Sequence, residues 1–486
     1  MSASTVVFIG IIVLLLGVAG YASRRVHGKE SLLVGNGVSS TSNGLAITGE
    51  FASVATFLGL VGGVSLYGFG GMISVLGVPL GFLVLLILIA GPLRAGGRFT
   101  VSDVLTFESG SARLRKLVGL TGLVISSIYM IGQFVGGAGL IGALFGLDFR
   151  VAVALVGGLT LVMVVMGGMA SATAVQVLKT CLLMAASVTI LLLALAHTSW
   201  NPFDVLGEAR TEYGDEIGGT QSASAVQNFD RFSATVATVF GIAGMPHLMV
   251  RLLTVRSARE ARRSALLAVW LMSAYLLVMT LVGFAASILV GRSAISESNA
   301  GGNTATILLA ETLGGEVFGA VIAGLVFAII AAVLAGLLVS MMGNISHDLF
   351  NRRDDGEGAG SADSMRVARI GAVVVTVVAS LLAVGAQDVN LIFVGTFAFG
   401  VAASTIFPVL VFRLYYSRTT ASGAVAGVVV GLGSSVLLLL CGPIVLGEAA
   451  LFPYSQPAVI TIPIAFLTVW LVSRAGARRS VVGSAR

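Results

Sequence analysis

Charge is scarce in this chain, and that shortage decides its class. Only 10% of the 486 residues are Asp, Glu, Lys or Arg, while 57% are hydrophobic. Soluble domains carry about 25% charged residues, and no soluble core buries so large an apolar fraction. The chain is therefore an integral membrane protein, outside the rule of roughly one domain per 150 residues. Cysteine is nearly missing too: Cys181 and Cys441 lie in apolar runs, read as small core residues, and supply no disulfide framework or metal cluster. With only four histidines, facing haem or redox pairs are excluded. No Ser-His-Asp set at workable spacing and no phosphate loop occurs. Long polar stretches are also lacking, so no soluble output domain is expected.

What remains is a series of apolar runs. Thirteen can span: about 5–22, 44–70, 72–93, 117–146, 151–169, 172–197, 233–250, 265–290, 312–344, 367–386, 389–412, 421–441 and 457–473. Each suits a hydrocarbon core of about 30 Å, straight or tilted. Gly is abundant at 63 residues, which fits close helix packing through small residues, as in Gly132-x-x-x-Gly136 with Gly139 and Gly142. A net charge of +6 and pI near 9.6 would suit a nucleic-acid binder, but the topology removes that reading. Placing alternate loops on two sides puts all but Arg150, Arg210, Arg231 and Arg292 of the 28 basic residues on one side. The positive-inside rule makes that side cytoplasmic, with the N-terminus outside and the C-terminus inside a multi-pass cell-membrane protein. Arg24 and Arg25 follow the first run directly and no basic residue precedes it, which reads as an uncleaved helix and not a signal peptide. The external loop 198–232 is acidic, and the internal loop 345–366 is polar and expected to flex around Gly356–Ser361.

Two runs are interrupted. Gly44–Gly63 places Glu50 beside Gly49 inside an apolar stretch, and Val236–Val250 gathers Gly241, Gly244, Pro246 and His247. Non-helical backbone at membrane depth persists only where it is buried in protein or lines a cavity, and such a pair, one in each half, points to a transporter's site. The breaks fall in spans two and seven. Five spans then match five inverted spans, the architecture of leucine-transporter-type carriers. The expected organisation is an accessory span in 1–30, a transport core over 43–415, and accessory spans with a tail over 416–486.

Glu50 is read as the only acidic residue within a span. An ionisable group there marks an ion or proton site, or a carboxyl that holds the shape of the break. Pro246 removes a backbone donor and frees carbonyls to face a ligand. His247 either titrates near neutral pH or is a structural histidine near its span's end, four residues before Arg251. Ser126, Ser127, Tyr129 and Gln133 form a polar stripe at helical spacing, lining a path or tying helices together. No mid-membrane Arg or Lys is expected to await an anion.

The string Phe240-Gly-Ile-Ala-Gly-Met-Pro-His247 with Arg251, then Thr254-Val-Arg-Ser-Ala-Arg-Glu-Ala-Arg-Arg263, resembles the seventh span of the sodium:solute symporter family. Gly49-Glu-Phe-Ala-Ser-Val-Ala-Thr-Phe-Leu-Gly59 is similar to its second span. Arg98-Phe-Thr-Val-Ser-Asp103, Gly167-Gly-Met-Ala with Val175-Gln-Val-Leu-Lys179, and Ser346-His-Asp-Leu-Phe350 resemble its connecting loops. The details are most similar to the cation/acetate branch. The resemblance implies cation-coupled symport by alternating access. It places the cation at Gly49, Ala52 and Ser53, with Glu50 adjacent, and at Ile329 and Ala332 of span nine. Sodium-dependent members carry two neighbouring hydroxyl residues where this chain has Ala332 and Val333, so both Na⁺ and H⁺ stay open as coupling ion. Phe51, Gln133, Gly241, Gly244 and Pro246 are the implied substrate positions. A small monocarboxylate such as acetate, propionate or pyruvate would be held by N–H groups at half-helix N-termini. A proline or sugar carrier is the alternative within transport, and a membrane-embedded sensor the alternative outside it. No enzyme activity, cofactor, nucleic acid or obligate protein partner is expected; the partners are the solute and membrane lipid.

Overall fold

Within a bilayer each backbone polar group must be satisfied inside its own segment or a closed barrel, and every regular element among the described residues is helical. The computed structural model describes residues 38–96, 100–106, 110–166, 169–214, 224–299, 301–349, 362–387 and 391–483, with four isolated positions before residue 38. The first apolar run, 5–22, and the Gly356–Ser361 segment lie outside the described residues. Among the described residues, ten helices are long and apolar enough to cross a membrane, and a bent pair makes an eleventh span. A shorter apolar helix stands where the fifth span was expected.

The bent pair is α1 (Ser40–Phe51) and α2 (Ala55–Tyr67), which meet at 64°. Next come α3 (Phe69–Ala95), α4 (Ala112–Phe145), α5 (Phe149–Met166) and α6 (Met169–Ala196). The second half opens with α7 (Ala225–Ile242) and α8 (Pro246–Leu253), separated by a three-residue break. It continues through α9 (Ala258–Ala286), α10 (Ala305–Gly343) and α11 (Ala362–Gly385). The end of the core is α12 (Leu391–Ser404) and α13 (Ile406–Tyr415), themselves parted at Thr405. Two further helices, α14 (Ala421–Leu440) and α15 (Ala458–Gly483), pack on each other, and α15 packs on α12.

Packing obeys the expected twofold relation between α1–α6 and α7–α13. The first broken span packs on α9, and the second, α7, packs on α3. α1 lies on α6 as α7 lies on α12; α6 meets α10 as α12 meets α4; α4 carries α5 as α10 carries α11. One inverted copy of the five-helix unit therefore embraces the other, with both breaks at the centre.

Three expectations change. Glu50 is not the only acidic residue of a span: Glu316 lies in the 312–344 run itself and, because α10 begins at Ala305, Glu311 joins it in a membrane-length helix, both exposed, on either side of a kink at Gly315 (φ 72°). Hydropathy hides Glu311 because the helix outruns its apolar stretch. Lys179 and Arg251, counted among loop cations, are buried within α6 and α8. Cys181 is exposed on α6 and Cys441 half-buried, so neither is a core residue.

Candidate functional site

The first break is closed by its own side chains. Helix α1 ends at Ala52 in an extended conformation, ψ 95°. The Ser53 N–H donates to Thr56 Oγ1 at 3.0 Å, and that hydroxyl donates back to the Ser53 carbonyl at 2.9 Å. These bonds close the turn ahead of α2 while the chain stays unwound. At the second break Met245 is extended (ψ 119°) and Pro246 takes the first position of α8, where its missing N–H costs nothing. Gly241 and Gly244 let this break sit directly on the α12 backbone at Phe399 and Ala402.

Charge joins the two breaks. Arg251 of α8 donates to Glu50 Oε1 of α1 through Nη2 at 2.6 Å and Nε at 3.2 Å. Both side chains are nearly sealed, at 4% and 2% exposure. A charge at this depth is retained only when paired and hydrogen-bonded. A methyl at Gly336 of α10 would stand 2.8 Å from both Glu50 oxygens, so a residue without a side chain is needed there. On the other side of α1, the Lys179 ammonium donates to the Gly49 carbonyl. Gln176, one turn earlier on α6, donates through Nε2 to the Ala332 carbonyl at 3.1 Å. The expectation of no mid-membrane Arg or Lys is thus overturned. Both cations look like loop residues in sequence because they stand near the ends of apolar runs.

Beside this cluster is a pocket of 40 Å³. Phe51, Ala55, Leu60, Val75, Val78 and Phe399 give it apolar walls, and Ser53, Thr56, Thr238, Thr396 and Tyr129 add hydroxyls. The ring of Phe51 stacks on Phe399 at 5.5 Å and meets Phe82 edge-on at 5.3 Å. Tyr129 stacks on His247 at 5.7 Å, linking the pocket to α8. His247 is buried in that stack, and its Nδ1 has no hydrogen-bond partner among the described residues.

Of the substrate positions implied by resemblance, Phe51 lines this pocket. Gln133 is buried outside its lining, Gly241 and Gly244 face α12, and Pro246 packs near Gly122. Ser53 also lines it, whereas Ile329 and Ala332 are buried in α10. Sequence reasoning missed Val75, Val78, Thr238 and Thr396, which no local pattern marks. Of the cation positions implied by resemblance, the Gly49 and Ala332 carbonyls already accept from the Lys179 ammonium and Gln176 Nε2, a poor fit to sodium at those two oxygens. Ala332 and Val333 also add no oxygen for a hard cation.

A helical bundle with two discontinuous spans around a central pocket defines a secondary transporter. The model of the sodium:solute symporter family matches residues 32–431, and the chain belongs to that family. It is 35% identical over 475 residues to the uncharacterized symporter YwcA of Bacillus subtilis, covering 96% of this chain and 92% of that protein. Among solved structures it is similar to a Na⁺-coupled sialic acid symporter in a substrate-bound outward-open state. There the TM-score is 0.76 at 16% identity, with 98% of each chain covered. It is also similar to a nucleobase-cation-symport-1 family transporter in a closed conformation, with a TM-score of 0.57 at 14% identity, covering 93% of this chain and 96% of that one. The fold is thus that of leucine-transporter-type carriers. The protein is a multi-pass sodium-coupled solute symporter and not an enzyme; family membership implies Na⁺ as the coupling ion.

Proposed function

We propose that the chain carries a small monocarboxylate such as acetate, propionate or pyruvate by symport. The observation that supports this most is the size and lining of the pocket. A space of 40 Å³ holds about three water-sized groups, which suits a solute of few heavy atoms better than a sugar. The phenylalanine and valine walls suit a short acyl chain. The start of α2, the positive end of a helix dipole, suits a carboxylate. Uptake of labelled acetate into proteoliposomes, with proline and glucose alongside, tests the reading.

The Glu50–Arg251 pair lies under the pocket and ties the two broken spans together. In this reading it holds them in one state, and its separation accompanies the rocking of one bundle against the other. The basic-residue bias puts the Arg251 end in the cytoplasm of a cell membrane, with the N-terminus outside and the C-terminus inside. Residues 43–415 act as the transport core, and 416–486 form accessory helices.

A further inference from the structure

Gly49 lies in the last turn of α1, the first half of a broken helix, so its carbonyl is at the negative end of a dipole and calls for a positive charge. The structure supplies one from within. Lys179 is 1% exposed, and its ammonium donates to that carbonyl. Its neighbour Thr180 donates to the Leu45 carbonyl at 3.0 Å, pinning α6 against α1. A Cβ at Gly49 would stand 2.8 Å from the Gln176 carbonyl, so glycine is what admits this approach. Gln176, three residues before Lys179 and on the same helical face, holds the second carbonyl at Ala332. One face of α6 therefore places N–H donors on the Gly49 and Ala332 carbonyls, at two of the positions that the family resemblance gives to an ion.

We propose that Lys179 is a tethered cation that fills this carbonyl position, so that the sodium implied by family membership is not held between Gly49 and Ala332. Three features support the assignment. Sodium takes oxygen ligands, and Ala332 and Val333 bring no side-chain oxygen. Lys179 and Gln176 point hydrogens at the Gly49 and Ala332 oxygens, two that a metal there would meet. At this cluster the buried charges are two cations, Lys179 and Arg251, against the carboxylate of Glu50, the buried Asp103 and Asp348 lying with Thr100 and Ser102 instead; a third positive charge would lack compensation in a low-dielectric site.

The test reads ion binding and needs no substrate, so it stands apart from the monocarboxylate reading. The purified full-length chain is unfolded thermally while sodium chloride replaces choline chloride at constant ionic strength. Lys179→Ala is expected to gain a sodium-specific rise in Tm of about 2 °C or more beyond the wild type. Adding Ala332→Ser and Val333→Thr to it should enlarge that rise. An equal or smaller sodium response in Lys179→Ala than in the wild type overturns the proposal. Should Lys179→Ala fail to fold, the Ala332→Ser/Val333→Thr variant decides with the lysine in place. A response matching the wild type supports the tethered cation, and a larger one overturns it.

Discussion

Glu50 makes two demands on its neighbours: a cation to pair with and a residue without a side chain beside it. Arg251 meets the first and Gly336 the second. Removing one partner of a sealed ion pair leaves the other charge uncompensated, so Arg251→Gln should cost about 3 kcal/mol of stability. Thermal unfolding checks this, and the Glu50→Gln/Arg251→Gln double variant should regain part of the loss. Gly336→Ala drives a methyl against both carboxylate oxygens, 2.8 Å away, and should cost about 1–3 kcal/mol by overpacking. An unfolding midpoint unchanged from wild type in Gly336→Ala would mean that Glu50 is not held where described. Glu50 itself is conspicuous in the sequence as a carboxylate in an apolar run. Its partners are not, because Arg251 is 201 residues away and Lys179 lies 130 residues from Gly49. Hydropathy places both cations with the loops, and only tertiary packing turns them inward.

The broken helices are the elements most legible in the sequence. Gly and Pro at 241–246 and a charge beside Gly49 disrupt otherwise uniform runs, and the structure breaks the chain at Ala52–Ser53 and Ala243–Met245. The pocket between them was not legible, since α3, α4, α7 and α12 each contribute residues of ordinary membrane composition. Phe399 of α12 stacks on Phe51 and forms one wall. Phe399→Ala should widen the pocket and shift preference toward longer acyl chains. Competition of a carboxylate series against labelled acetate reads this out, and an unchanged order of inhibition would remove Phe399 from the substrate's surroundings. The kink and early start of α10 escaped because glutamates at a helix end break the apolar run without breaking the helix.

For the molecule as a whole, the inverted five-helix units explain why two distant breaks meet, and the basic-residue bias supports the proposed direction. Lys179 and Arg251 leave the loop tally, and the proposed topology still counts 22 basic residues on one side against four on the other. A cysteine in place of Arg113, at the start of α4, should react with an impermeant maleimide only in inside-out vesicles. Labelling in right-side-out vesicles would reverse the proposed topology. The central claim is tested most directly by labelled acetate uptake into proteoliposomes under an imposed inward sodium gradient, with proline and glucose run in parallel. Acetate accumulating above its external concentration, with proline and glucose at the level of empty liposomes, is the predicted result. Acetate remaining at the empty-liposome level while proline or glucose accumulates would contradict it.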